Sequence, residues 1–333
     1  MKKFYASFIT LAALFAALTF SPSASALTVT PAILEISGDA GTTLVGTVRL
    51  YNESDRTQTF FTSYENFEPS DDSGTPRFIG AEDGLATWIN ATASVTLAPQ
   101  ERTEVPFTVT IPANAEPGGY FSAIFFGTQP PSPDGGIVAI GGRLGILTLL
   151  RVNGDIPEAG GVLEYDTVDG ERFYTMPPVE FEFRFSNDGG DRVIPRGDIE
   201  IKNTFGQVRE TILANTVEGN VLPGSARRFR TTWEANEAEP QGFFGKVKAQ
   251  FNDFHFGYYT AQMNLGWGFT NQSSSNSVSF FVLPWQLLIT VIAGLGLLFG
   301  ILKFGGRAYR KSLMKQLEAQ QAILKKEQEK IEE

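Results

Sequence analysis

The residues able to do chemistry are few in this chain. One histidine, His255, serves all 333 residues, and there is no cysteine. A Ser-His-Asp set must therefore use His255, and a thiol nucleophile has no residue to supply it. His255 lies within Phe251–Gly257 (FNDFHFG), between aromatic residues. On a strand it points away from Phe254 and Phe256, which predicts an exposed or rim imidazole rather than a catalytic base. A single imidazole without thiolates gives zinc no ligand set. Carboxylates are more plentiful: Glu65, Glu68, Asp71 and Asp72 precede Gly74, and Asp188 and Asp191 flank two glycines. Several oxygens close together can bind calcium. Neither run matches a calcium-loop template, and acids at such places ordinarily shape solvated turns. No two of them stand out as a glycosidase pair. No glycine-rich loop follows a strand and opens a helix, so nucleotide binding has no support. The expectation is a non-enzyme with no catalytic, cofactor or metal residues.

The elements that carry these residues are framed by two apolar runs. Met1-Lys2-Lys3 precedes an apolar stretch from Phe4 to Phe20, followed by Ala24-Ser25-Ala26. A basic start, an apolar centre and a small-x-small site make a secretory signal peptide over residues 1–26, cleaved after Ala26. The second run, Phe280–Leu302, is 23 residues without a formal charge. That is long enough to cross a bilayer as a helix, which needs roughly 20 apolar residues. Trp285 sits near its outer end, where an amphipathic ring suits the headgroup region. Lys303, Arg307, Arg310, Lys311 and Lys315 follow with no acid before Glu318. Basic residues beside a span stay in the cytoplasm. The expected topology is a single-pass cell-membrane protein with its N-terminal part outside and a basic tail, 303–333, inside.

The whole chain carries −10. The signal segment contributes +2 and the tail, with 8 basic and 5 acidic residues, +3, which leaves −15 for the exported part. So acidic a region argues against nucleic acid and against broad contact with anionic lipid. About 250 exported residues suffice for two ordinary domains, and without disulfides their stability must come from the core.

Period-two patterning runs through this region. Leu44–Asn52, Thr57–Phe67, Val105–Ile111 and Tyr120–Gly127 read as strands, the last apolar enough to be central, and Ile137–Val152 ends the series as a strand pair or one bent strand. Val179, Phe181, Phe183 and Phe185 alternate with Glu180, Glu182, Arg184 and Ser186, the clearest half-buried strand. Phe229–Trp233 and Val247–Phe251 continue the alternation, and no useful helical period precedes residue 280. The fold class expected is all-β: two tandem immunoglobulin-like sandwiches, 27–157 and 158–277, then the span 280–302 and a short helical tail. The polar stretch Thr270–Ser277 is read as a linker to the membrane. Gly296-x-x-x-Gly300 fits a helix-pairing motif weakly. Phe totals 28. Two cores absorb many of them, and some, as in Phe254–Tyr259, belong at the surface, where they suit glycan or protein binding.

Several segments resemble a known family in order and type. Val29-Thr30-Pro31 opens; Val48–Asp55 (VRLYNESD), Leu97–Arg102 (LAPQER), Val109–Pro112, Pro117-Gly118-Gly119-Tyr120 and Ile124-Phe125-Phe126 follow; Gly136–Arg151 closes. This is similar to the N-terminal domain of the WxL-interacting cell-surface proteins and, more distantly, to the first domain of periplasmic pilus chaperones. Tyr120 stands where the chain enters a central strand, as in a tyrosine corner. The resemblance implies a membrane-anchored bacterial binding or scaffold protein contacting cell-wall peptidoglycan, surface proteins, or both. The alternative it implies is a membrane-tethered, chaperone-like assembly factor for exported subunits. Pilus chaperones grip a client's terminal carboxylate with a basic residue early in the first strand, and Val29–Ile36 contains none.

Overall fold

Alternating apolar side chains make strands that must bury one face, and the observed architecture is four sheets that do so in two pairs. The computed structural model describes residues 27–130, 142–235 and 240–331. The signal-peptide segment and the first part of Ile137–Val152 lie outside them.

The first ten strands are β1 (Leu27–Thr30), β2 (Ile33–Gly38), β3 (Thr43–Asn52), β4 (Gln58–Pro69), β5 (Pro76–Gly80), β6 (Ile89–Ala91), β7 (Ser94–Leu97), β8 (Arg102–Thr110), β9 (Gly118–Gly127) and β10 (Arg143–Val152), with a short helix α1 (Gly84–Trp88) between β5 and β6. One sheet has the order β1-β3-β8-β6 and the other β2-β10-β9-β4-β5, with β7 also on β4. Their inner faces share one cluster that includes Val48, Leu50, Phe107, Ile124, Phe126 and Leu150. β9 is central, as its unbroken apolar run requires. At its entry the Tyr120 hydroxyl donates to the Glu116 carbonyl at 3.0 Å, the back-bond of a tyrosine corner.

The next eight strands are β11 (Gly160–Thr167), β12 (Phe173–Tyr174), β13 (Val179–Asn187), β14 (Arg196–Lys202), β15 (Val208–Leu213), β16 (Ser225–Trp233), β17 (Gly257–Trp267) and β18 (Gln272–Val282), with helix α2 (Gly242–Asn252) before β17. Their sheets run β11-β13-β16 and β12-β18-β17-β14-β15. This layout repeats the first: β2 pairs parallel to β10, and β12 parallel to β18. Val179, Phe181, Phe183 and Phe185 of β13 are buried as expected and share a second cluster with Phe229, Met263 and Phe280. Phe183 stacks on Phe229 with centroids 4.9 Å apart.

A last helix, α3 (Trp285–Ile331), is long and apolar enough to cross a membrane. It begins later than the run Phe280–Leu302 predicts, because Phe280 and Val282 are core residues of the second cluster. Two further expectations fail nearby. Thr270–Ser277 is no linker: Gln272 onward forms β18, whose polar residues pair through the backbone with apolar β17. Val247–Phe251 is no strand, since these residues belong to α2, where the adjacent Ala249 and Gln250 are the buried pair. Adjacent buried positions suit a helical stripe and contradict strand alternation.

His255 also departs from expectation. It does point away from Phe254 and Phe256, but those rings are the exposed ones and the imidazole is buried. It lies edge-on to Trp233 at 4.8 Å; Nε2 is 2.8 Å from an Asp253 oxygen and Nδ1 is 3.3 Å from the Tyr259 hydroxyl. Burial pushes it below its ordinary value of 6.5; Asp253 opposes that shift and Arg209 adds to it. A histidine depressed in the fold takes up its proton more readily when unfolded. Stability is therefore full above about 6.5 and falls as the pH drops through 6.5 toward the folded value. Thermal unfolding from pH 7.5 to 5.5 should show a steeper fall for the native chain than for His255→Gln. Parallel curves would refute this.

Candidate functional site

The acids singled out by the sequence do not gather. Among the described residues no three His, Cys, Asp or Glu side chains are placed to hold a metal. Four of them meet arginines instead. Glu65, on β4, accepts from Arg143 of β10 at 2.5 Å, and that guanidinium covers the Phe125 ring at 4.0 Å. Glu68 pairs with Arg77 across β4 and β5. Asp71 accepts from the Ser73 amide at 2.8 Å, shaping its own turn. Asp188 is 3.4 Å from the Ser186 hydroxyl.

Asp72 and Asp191 do more, because their partners lie in the other half of the chain. Asp72 accepts from Arg184 Nε of β13 at 2.6 Å, and its carbonyl accepts the Arg228 amide at 2.7 Å. Asp191 accepts from Arg151 Nη1 of β10 at 2.7 Å. The Gly119 amide donates to the Gly190 carbonyl at 2.9 Å beside it. Gly119 is required there, since a Cβ would stand 2.5 Å from Asp191 Oδ1 and 3.2 Å from its Cα. Glu35 of β2 completes the seam with Arg192 and Asn220, each at 3.4 Å.

Between these contacts lies a cavity of about 250 Å³. Ile33, Leu147, Leu149 and Phe67 line it from the first pair of sheets, and Val221 and Leu222 from the second. The polar feature is Arg227. Its Nη1 donates to the Asn220 carbonyl at 2.8 Å, its guanidinium is held between Gly74 and Gly219, and it makes no ion pair among the described residues. Burial depresses its pKa. Arg227 Nε and Asn220 Oδ1 are buried without a hydrogen-bond partner. Apolar walls and a few unspent polar atoms suit non-covalent binding.

The cavity adjoins an open stretch of sheet. β10 pairs with β9 over Arg143–Val152 but with β2 only over Leu147–Val152. The Leu147 amide donates to the Ala32 carbonyl toward β2. By strand alternation the polar groups of Gly145 and Arg143 point the same way, and no described strand meets them there. Leu144 is exposed on this stretch. The seam is not legible in the sequence, since its pairings join residues far apart in it, and the cavity around Arg227 draws its walls from both halves. The one signal was Arg227-Arg228-Phe229-Arg230, a basic run in an acidic region.

No family model and no curated protein matches the chain. Several solved structures are similar in shape. A class 5 fimbriae chaperone, CfaA, is 12% identical with a TM-score of 0.37, over 76% of this chain and 98% of its own. The CsuC–CsuE chaperone-tip adhesion subunit complex of Acinetobacter baumannii gives 10% and 0.36 over 75% and 98%. The Escherichia coli chaperone DraB gives 11% and 0.32 over 78% and 97%. At those scores the likeness says nothing of function.

Proposed function

We propose that this is a single-pass surface protein whose first pair of sheets binds an extended segment of an exported or surface protein. The observation that carries the reading is the side of β10 over Arg143–Ile146 that no described strand pairs with, continuous with the cavity at Leu147 and Arg227. A segment added there would satisfy the free backbone groups and place side chains at alternate positions, with the cavity taking one of them. Each pair of sheets reads as an immunoglobulin-like sandwich, since β1-β3-β8-β6 facing β10-β9-β4 follows the ABED and GFC order. The second pair then acts as the support that fixes the first near the membrane, and membership of the WxL-interacting family fits this layout. The ectodomain lies outside, because the basic residues follow the span.

The test is a photo-crosslinking residue at Leu144 in the full chain in its native membrane, with Val45 as an exposed control. Adducts to exported proteins from 144 and none from 45 are expected; equal labelling from both overturns the reading. The peptidoglycan role rests on the resemblance alone. It calls for co-sedimentation of the ectodomain with purified cell walls, where recovery no higher than that of an unrelated sandwich domain would end it.

A further inference from the structure

The exposed rings ahead of α3 are not scattered. Among the described residues only Phe269 lies apart from the others, and Arg151 covers it at 4.1 Å. The rest gather at one end of the second pair of sheets, and the register shows which end. Val282, the last residue of β18, pairs with Gly257 and Tyr174. Phe173, Phe256 and Tyr258 are therefore level with the point where the chain leaves for α3. Phe205 joins them, because its turn follows Lys202 and the Thr204 hydroxyl donates to the Tyr258 carbonyl and accepts from the Tyr258 amide, both at 2.9 Å. Phe254–Phe256–Phe281–Phe173 form a run of rings with centroids 6.1–6.5 Å apart.

α2 extends the patch onto the first turn of α3. Phe244 and Phe251 are about three-quarters exposed, and Phe243 touches both Phe244 and Trp285. Its charges are Lys246 and Lys248, both exposed, with no acid. α2 is fixed against the first turn of α3: the Gln250 amide donates to Gln286 Oε1 at 2.6 Å, and Gln250 Oε1 accepts the Leu287 amide at 3.0 Å. The helix start left without intrahelical partners is thus capped by the side chain of another element.

We infer that this aromatic collar, with the two lysines of α2, seats the second pair of sheets in the headgroup layer of the bilayer that α3 crosses. The inference rests on the reading of α3 as a span. The occupant is lipid because the patch is continuous with the apolar surface of α3 and is held against it. Phe and Tyr at the edge of a span, with lysines reaching phosphate, are the composition of an interfacial belt. The acidic charge of the ectodomain excludes broad lipid contact but not this patch, whose helix α2 carries two lysines and no acid.

The absence of cysteine allows single-site spin labelling of the full chain. Labels at Phe244→Cys, Phe254→Cys, Phe269→Cys and Leu297→Cys would be compared in nanodiscs of phosphatidylethanolamine and phosphatidylglycerol. The expected result is a severalfold higher ratio of oxygen to nickel-chelate collisions at 244 and 254 than at 269. If 244 and 254 match 269 while 297 lies in lipid, the collar is overturned and the span stands. If 297 is as open to nickel as 269, the span itself fails and the collar with it. Labels at 244 and 254 shielded from both reagents would mean a protein partner covers the patch, which also overturns the proposal.

Discussion

Phe183→Ala should destabilise the second pair of sheets by about 3–5 kcal/mol, the usual cost of emptying a buried phenylalanine site. Phe183 is 1% exposed. It stands mid-strand on β13, directly opposite Phe229 of β16, and the two rings stack. Ile199, Ala261 and Met263 of the facing sheet belong to the same cluster. All three belong to paired strands, which leaves little freedom to close over the space. Trp233 and Trp267 lie in this cluster, so urea unfolding followed by their fluorescence reads the change directly. Phe183→Leu should lose much less. An alanine variant within 1 kcal/mol of the native chain would mean the cluster is loosely packed.

Asp191→Ala is expected to cost about 3 kcal/mol, for a different reason: it leaves buried positive charge unpaired. Asp191 is 6% exposed and the Arg151 and Arg192 side chains 20% and 14%. Arg192 Nη1 already lacks a hydrogen-bond partner. Removing the carboxylate therefore strands the Arg151 guanidinium where water reaches it poorly and leaves Arg192 with Glu35 alone. The double variant with Arg151→Ala should cost less than the two single changes together, and strict additivity would show that the pair is not coupled. Because this pair joins the two halves, Asp191→Ala should also open the connection Asn153–Glu158 to protease while leaving each cluster folded.

These two residues also mark what could be read from the chain. Phe183 was legible because β13 buries every second residue, and charge on the alternate positions makes the period plain. β18 was not, because its first half carries serine and asparagine and owes its place to β17, whose apolar face does the burying. α2 is hidden in the sequence because Lys246-Val247-Lys248-Ala249 alternates by chance over the window that a strand would use. The apolar run starts before α3 does because core and lipid both select apolar residues. The seam escaped altogether: Asp72 and Arg184 are 112 positions apart, and nothing local to either residue names the other. Alternation sets His255 opposite Phe254 and Phe256, but which face is inward is settled by Trp233 and Tyr259, from other elements.

The joint at Leu283 and Pro284 has a mechanical consequence. β18 ends at Val282 and α3 begins at Trp285. The Leu283 amide bonds to Tyr174 at 2.8 Å and the Leu288 amide to Pro284 at 3.1 Å, so no slack segment separates sheet from helix. α3 runs unbroken for 47 residues, about 70 Å at the usual rise, roughly twice the thickness of a hydrocarbon layer. On the proposed reading of α3 as a span, a load that tilts or turns the sheets before it acts on a stiff lever whose fulcrum is the bilayer, and the far end of the helix swings with it.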